Sequence, residues 1–194
     1  MNFLKRTYNW TLEKAEHKNA KWYLSLISFA ESSFFPIPPD ILLIPMALAS
    51  KLKALFYAFI CTLFSVLGGI LGYAIGYFFY NSVGIYIVEF YHLENSFSVF
   101  ENYYKEFGIL IVLGAGITPF PYKFITIASG VFGLNIFLFI VVSIIGRGLR
   151  FYLIAILLYF FGERIKLIID NYFNILTIVF FILLVGSVFI IRFL

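Results

Sequence analysis

Phe34-Phe35-Pro36-Ile37-Pro38-Pro39-Asp40 interrupts an otherwise apolar region that runs from Trp22 to Ala49. Proline carries no amide hydrogen, clashes with the preceding helical turn and pushes the residue before it out of the α region. No helix passes through Pro36, Pro38 and Pro39. The arms left on either side hold about 13 and 10 residues, or roughly 20 and 15 Å of helix, against a hydrocarbon core of about 30 Å. Neither arm spans such a core, so the pair reads as a re-entrant hairpin that enters and leaves by the same face. Irregular backbone at that depth is tolerated only where protein or a wet cavity surrounds it.

The composition around this stretch points the same way. Of 194 residues, 62% are hydrophobic and 12% charged, whereas a soluble domain carries about a quarter charged residues. The chain also holds 26 Phe and 14 Tyr, a content suited to acyl chains and a headgroup-level rim. Cys61 is the single cysteine, which excludes a disulfide-stapled secreted scaffold. The first apolar run begins near Trp22, after a Lys-rich stretch that reads as a retained arm rather than a cleaved signal peptide. The net charge of +4 is spread along the chain and forms no block. It reads as orientation information, not as a nucleic-acid footprint.

Outward from the first turn, the chain divides into five parts. Residues 1–21 carry Lys5, Arg6, Lys14, Lys18 and Lys21 among interleaved aromatic and aliphatic residues, the pattern of an amphipathic helix on an anionic leaflet. Residues 22–84 hold the first hairpin and then Ala54–Phe79, an uncharged run of 26 residues, long enough to cross with some tilt. In that run Gly68, Gly72 and Gly76 recur every four residues and form a groove for another helix. Residues 85–106 are polar and aromatic, with Glu89, Glu94, Glu101 and Glu106 against Lys105, and are predicted to be an interfacial amphipathic linker. Residues 107–162 repeat the hairpin, broken at Thr118-Pro119-Phe120-Pro121-Tyr122-Lys123, and add a second crossing from Asn135 to Phe161. Residues 163–194 form a short loop and a last crossing, Tyr172 to Ile191. His17 and His92 have no second ligand nearby and read as surface residues, so no metal or other cofactor is expected.

Pro36-Ile37-Pro38 and Pro119-Phe120-Pro121 lie 83 positions apart, each followed by a small-residue stretch and a long apolar run. Hairpin plus span, used twice, obliges the second hairpin to enter from the face opposite the first, an inverted repeat. With the N-terminus inside, nine basic residues fall on the inner side and two, Lys105 and Arg192, on the outer, in accord with the positive-inside rule. The expected fold is therefore an all-α integral membrane protein with two opposed Pro-broken hairpins, each followed by a transmembrane helix, plus interfacial helices and a C-terminal span.

Five charges remain at depth: Glu31, Asp40, Lys123, Arg147 and Arg150. At about 2.5–3.5 kcal/mol each on insertion scales, they would cost ~15 kcal/mol before any pairing. Folding the first hairpin brings Glu31 and Asp40 near its tip; Lys123 matches Asp40 in the repeat; Arg147 and Arg150 share a helix face at i, i+3. Gly146 and Gly148 flank Arg147 and would leave room for a headgroup or a water-filled vestibule. A purely structural alternative is a buried salt-bridge network that locks the hairpins together, with Asp40 capping the second arm. Two acids against three bases leave one positive charge over, which an anion could neutralise, and Arg matches phosphate bidentately.

Glu31, Pro36-x-Pro38-x-Asp40, a Thr-Pro hairpin ending in Ala128-Ser129-Gly130, and Phe137 through Gly146-Arg147-Gly148-Leu149-Arg150-Phe151 together resemble the DedA membrane proteins. These are also called the SNARE-associated or VTT-domain family, and the likeness is greatest to the YqaA-like branch, over roughly Ser28 to Gly162. The resemblance implies a multi-pass bacterial inner-membrane protein with a cytoplasmic N-terminus that moves lipids, undecaprenyl phosphate or a phospholipid among them, with proton coupling as an option. It implies Glu31 and Asp40 as the proton-linked acidic pair. Where many members carry two arginines around the second turn, this chain has Ala115 and Lys123, so Lys123, Arg147 and Arg150 are the expected headgroup-binding groups. The alternatives are a proton or small-ion transporter or channel using the same charges, and a non-catalytic scaffold working through the Gly68/Gly72/Gly76 groove. An enzyme is not expected, since the apolar regions hold no His, no paired metal ligands and no Ser with a base in reach. Membrane lipids are the expected partners, and a homo-oligomer is left open.

Overall fold

The computed structural model describes residues 19–35, 37–92, 94–162 and 164. Most of the expected N-terminal arm, Pro36 and the expected C-terminal crossing lie outside these residues. The described chain is helical, with no strand among the described residues: α1 (Ala20–Ser33), α2 (Asp40–Ala49), a short 3₁₀ turn (Lys51–Lys53), α3 (Ala54–Phe79), a π-helical turn (Tyr80–Gly84), α4 (Ile85–Phe90), α5 (Glu94–Ile117), α6 (Tyr122–Val131) and α7 (Ile136–Gly162).

The proline turns end the helices where the sequence places them. α1 closes with the amides of Phe34 and Phe35 both donating to the Ala30 carbonyl, at 2.9 and 2.7 Å. α2 restarts on carbonyls of the turn itself: Pro38 accepts from Ile41 at 3.3 Å and Pro39 from Leu43 at 2.9 Å. At the second turn Pro121, with φ −63° and ψ 103°, precedes α6, and its carbonyl accepts from Phe124 at 3.3 Å. Asn135 caps α7 by accepting from the amides of Phe137 and Leu138 at 3.0 and 3.2 Å. Pro45 sits inside α2 and withholds one intrahelical donor.

The 83-position offset holds in the helices. Shifted by that amount, Ala54 and Phe79 fall on positions 137 and 162, against observed limits of Ile136–Gly162 for α7. α2 and α6 are both 10 residues long. The expected linker differs from the structure. It is split by a turn at Tyr91 and His92, where His92 adopts φ +52°, and its second part runs unbroken through position 106 into the arm before the second turn, making the 24-residue α5. No proline lies between Glu94 and Ile117, so nothing in the backbone stops the helix there.

Two apolar clusters locate the elements. One joins Leu24 of α1, Leu43 and Met46 of α2, Tyr57 and Cys61 of α3, and Phe151 and Leu158 of α7. The other joins Val112 and Ala115 of α5, Tyr122 of α6 and Phe139 of α7, with Tyr73 of α3 against them. The N-terminal part of α3 thus meets the C-terminal part of α7, and the reverse holds at the other end, so these two long helices run antiparallel. α1 and α6 pack along α3 one after the other, and the two Pro-broken helix pairs approach from opposite ends; at 24 residues, about 36 Å of helix, α5 is not the short arm expected before the second turn. Both α3, extended over Lys51–Gly84, and α7 are long and apolar enough to cross a bilayer.

The glycine stripe is the surface that admits both short helices. A Cβ at Gly68 would overlap the Phe29 carbonyl of α1, one at Gly76 the Ile127 carbonyl of α6, and one at Gly72 would meet Thr126 and Ser32 where the two approach each other. At Gly68 and Gly76 the atoms met are backbone, which no rotamer change relieves, while at Gly72 the nearest is the Thr126 hydroxyl. Gly68→Val and Gly76→Val should each destabilise the chain by about 1–3 kcal/mol or more, the usual cost of overpacking. By contrast, Gly114→Ala, whose Cβ meets nothing within 4 Å, should leave the thermal unfolding midpoint unchanged or slightly raised.

Candidate functional site

Between the two apolar clusters lies a polar layer built from the ends of the short helices and the middles of the long ones. Ser28, Glu31 and Ser32 occupy one face of the last turns of α1. Ser65 stands midway along α3, and Arg147 and Arg150 midway along α7.

Arg147 is 2% exposed. Its Nη2 donates to Glu31 Oε2 at 2.5 Å and its Nε to Ser65 Oγ at 2.6 Å. The guanidinium lies between the rings of Tyr122 and Phe151, 4.9 and 4.7 Å from their centroids, where cation–π attraction adds to the pairing. Ser32 Oγ donates to Glu31 Oε2 at 3.1 Å and lies 2.6 Å from Ser65 Oγ. Each hydroxyl has one hydrogen, so the donors run one way: Arg147 to Ser65, Ser65 to Ser32, Ser32 to Glu31. The ring closes through Arg147 and Glu31. Thr126 of α6 joins it by donating to the Ser32 carbonyl at 2.9 Å, satisfying one of the carbonyls orphaned at the end of α1.

Arg150, one helical turn further along α7, makes a different kind of contact. Its Nη2 donates to Asp40 Oδ2 at the start of α2, and its Nη1 donates to the carbonyl of Thr118 in the second turn. One side chain therefore bridges both proline turns. The side chains are 15% and 18% exposed for Arg150 and Asp40, against 2% and 10% for Arg147 and Glu31. Asp40 Oδ1 and Arg150 Nε are buried without a hydrogen-bond partner among the described residues. α2 has no side-chain cap, so the expected capping role of Asp40 gives way to the pair with Arg150.

The five charges thus resolve into two pairs and Lys123. The carboxylates of Glu31 and Asp40 are divided between two arginines. Lys123 is partly buried, with Nζ 5.5 Å from the Phe124 ring centroid, and has no ion pair among the described residues. The expected vestibule at Gly146 is filled instead. A Cβ there would sit 3.2 Å from the Leu113 carbonyl and 3.3 Å from Gly116 Cα, because α5 and α7 use these small residues to approach closely. Gly148 is more open, with only Thr62 Cγ2 at 3.8 Å. His92 is exposed on its turn; His17 lies outside the described residues. Among the described residues no group of three or more His, Cys, Asp and Glu side chains is gathered to hold a metal.

Ser32, Ser65, Thr126 and the Thr118 carbonyl are the participants that sequence reasoning missed. Small hydroxyls are common in apolar helices, and a backbone carbonyl carries no residue signature.

An uncharacterized protein of Haemophilus influenzae is 38% identical to the chain over 157 residues, covering 81% of each. A Histophilus somni protein, described as an uncharacterized homologue of HI0703, is 35% identical over 160 residues, 81% of this chain and 82% of its own. The chain belongs to their family. No family model and no solved structure matches it. The shared length extends the likeness to these bacterial proteins well beyond a single hairpin.

Removing one partner of a buried, hydrogen-bonded ion pair costs about 3–5 kcal/mol, because the other charge stays buried and unpaired. Arg147→Met or Glu31→Gln alone should therefore lower stability severely, and the double variant should lose less than the sum of the two. Arg147→Lys should also unfold at lower temperature despite keeping the charge, since an ammonium cannot reach Ser65 and Glu31 in one plane or stack between Tyr122 and Phe151. Thermal unfolding of the four purified variants measures all of this.

Proposed function

We propose that this chain is a DedA-type transporter of the bacterial inner membrane that carries the phosphate-bearing headgroup of a lipid between its two helix pairs. Membrane residence is supported by α7, of whose most apolar stretch only 33% is buried, far too little for the core helix of a soluble domain. Its outward side carries Phe137, Val141, Ile145, Leu149, Leu153 and Phe160, all exposed, a continuous apolar surface that suits acyl chains. In this setting the two Pro-broken helix pairs are re-entrant, with the charged first half of α5 (Glu94, Glu101, Lys105, Glu106) outside the hydrocarbon, the N-terminus is cytoplasmic, and the polar layer lies near mid-depth.

The observation that carries the reading is the charge balance where the turns meet. Both acids are engaged, one arginine nitrogen is unpartnered and Lys123 has no ion pair among the described residues. Intramembrane ionisable groups are costly and mark pathways, and an excess cation together with an under-bonded guanidinium is matched by a phosphate monoester or diester. Glu31–Arg147 then serves as the fixed frame, while Arg150 and Lys123 contact the headgroup. The lipid tail stays in the bilayer, so no pore for the whole molecule is needed. A proton or small-ion pathway is the second reading, favoured by the two carboxylates at depth, Glu31 and Asp40, each paired with an arginine.

The test is translocation of fluorescent phosphatidylglycerol, phosphatidylethanolamine and a polyprenyl phosphate in vesicles holding the purified chain. Lys123→Ala and Arg150→Gln should each slow transport by about tenfold or more, the loss of one charge-assisted contact, with the unfolding midpoint of Lys123→Ala unchanged. Normal rates in both variants would sink the mechanism. Current driven by a pH gradient, with no lipid moving, would select the ion pathway.

A further inference from the structure

Arg147 and Arg150 share a helix face and each holds a carboxylate, yet their surroundings differ. Arg147, 2% exposed, is held by Glu31, Ser65 and two aromatic rings. Arg150 holds the two turns together through two of its nitrogens, with the third idle. Nη1 reaches the second turn at Thr118 and Nη2 the first at Asp40, while among the described residues Nε beside it has no partner and Asp40 uses one oxygen and leaves the other unbonded. A carboxylate held by one oxygen is a weaker match for the guanidinium than a group that engages Nε and Nη2 together.

We infer that the Asp40–Arg150 pair is an exchangeable latch between the two proline turns: a phosphate group takes the Nε and Nη2 side of Arg150, displaces Asp40, and so releases the first turn while Arg150 stays on Thr118. The inference rests on the phosphate-headgroup reading and adds to it which contact gives way. Asp40 is then a competitor of the ligand, not a ligand-binding group. A ligand that must displace it binds the unlatched form alone, and its apparent affinity falls by the fraction of molecules in that form. The shared chemistry is a phosphate group, from a lipid or free in solution.

The experiment titrates the purified full chain in uncharged detergent with decyl phosphate and, separately, with inorganic phosphate, by calorimetry. Asp40→Asn should bind the probe about tenfold more tightly than the unmodified chain, as expected if the latch leaves about a tenth of the molecules open. Arg150→Gln should lose binding. Binding of decyl phosphate alone assigns a lipid headgroup; equal binding of both probes assigns free phosphate. If Asp40→Asn binds more weakly than the unmodified chain, Asp40 belongs to the ligand site and the latch is overturned while the phosphate reading stands. If the folded chain and Asp40→Asn bind neither probe, both fall. Hydrogen exchange on the unmodified chain covers the case in which Asp40→Asn does not fold. Decyl phosphate should speed exchange of the amides at positions 40–43, and slower or unchanged exchange in the bound state overturns the latch.

Discussion

A guanidinium that is 2% exposed imposes more on its surroundings than any other group in this chain. It must meet a counter-charge, its remaining N–H groups need acceptors, and its flat faces need something other than water. Arg147 obtains the first from α1, the second from α3 and the third from α6 and from its own helix. Four helices are thereby fixed relative to one another by a single side chain. Separate α1 from α7 and a buried charge loses its partner, which is among the few single events that cost several kcal/mol. The apolar clusters at either end tolerate small adjustments; the layer between them does not.

The glycine stripe on α3 serves the same constraint. Arg147 can reach Glu31 and Ser65 together only if α1 lies close against α3, and Gly68 lets the Phe29 carbonyl approach to that distance. Gly76 does the same for α6, which brings Tyr122 over the guanidinium. Close backbone approach and polar pairing are therefore coupled: neither is stable without the other.

What the sequence made legible was whatever depends on local backbone chemistry. The clustered prolines at 38, 39, 119 and 121 end helices where the lone Pro45 is carried inside one, and an uncharged run from Ala54 to Phe79 has no feature that would end it. Those elements stand where the sequence puts them. The expected boundary at position 106 had a different basis, a change in polarity, and polarity does not break a helix; α5 runs through it. The charge count likewise anticipated a cation in excess, since it needs only signs and depth. Which acid meets which arginine depends on the angle at which α7 passes the two turns, and that is set by contacts among residues dozens of positions apart. Gly146 shows the same limit: a small residue beside an arginine is open space or close packing according to what lies opposite, here the backbone of α5.

The repeat has one further property. Shifted by 83 positions, Asp40 falls on Lys123 and Arg150 on Leu67, so the halves agree in backbone and disagree in sign. The first turn is neutralised by its arginine and the second keeps a positive charge. Two identical halves would place the same charge at both turns. These do not, and the seam between the turns is electrically polar although the scaffold around it is built from two like parts. The seam has a neutral side and a positive one, a polarity written in a few side chains rather than in the helices.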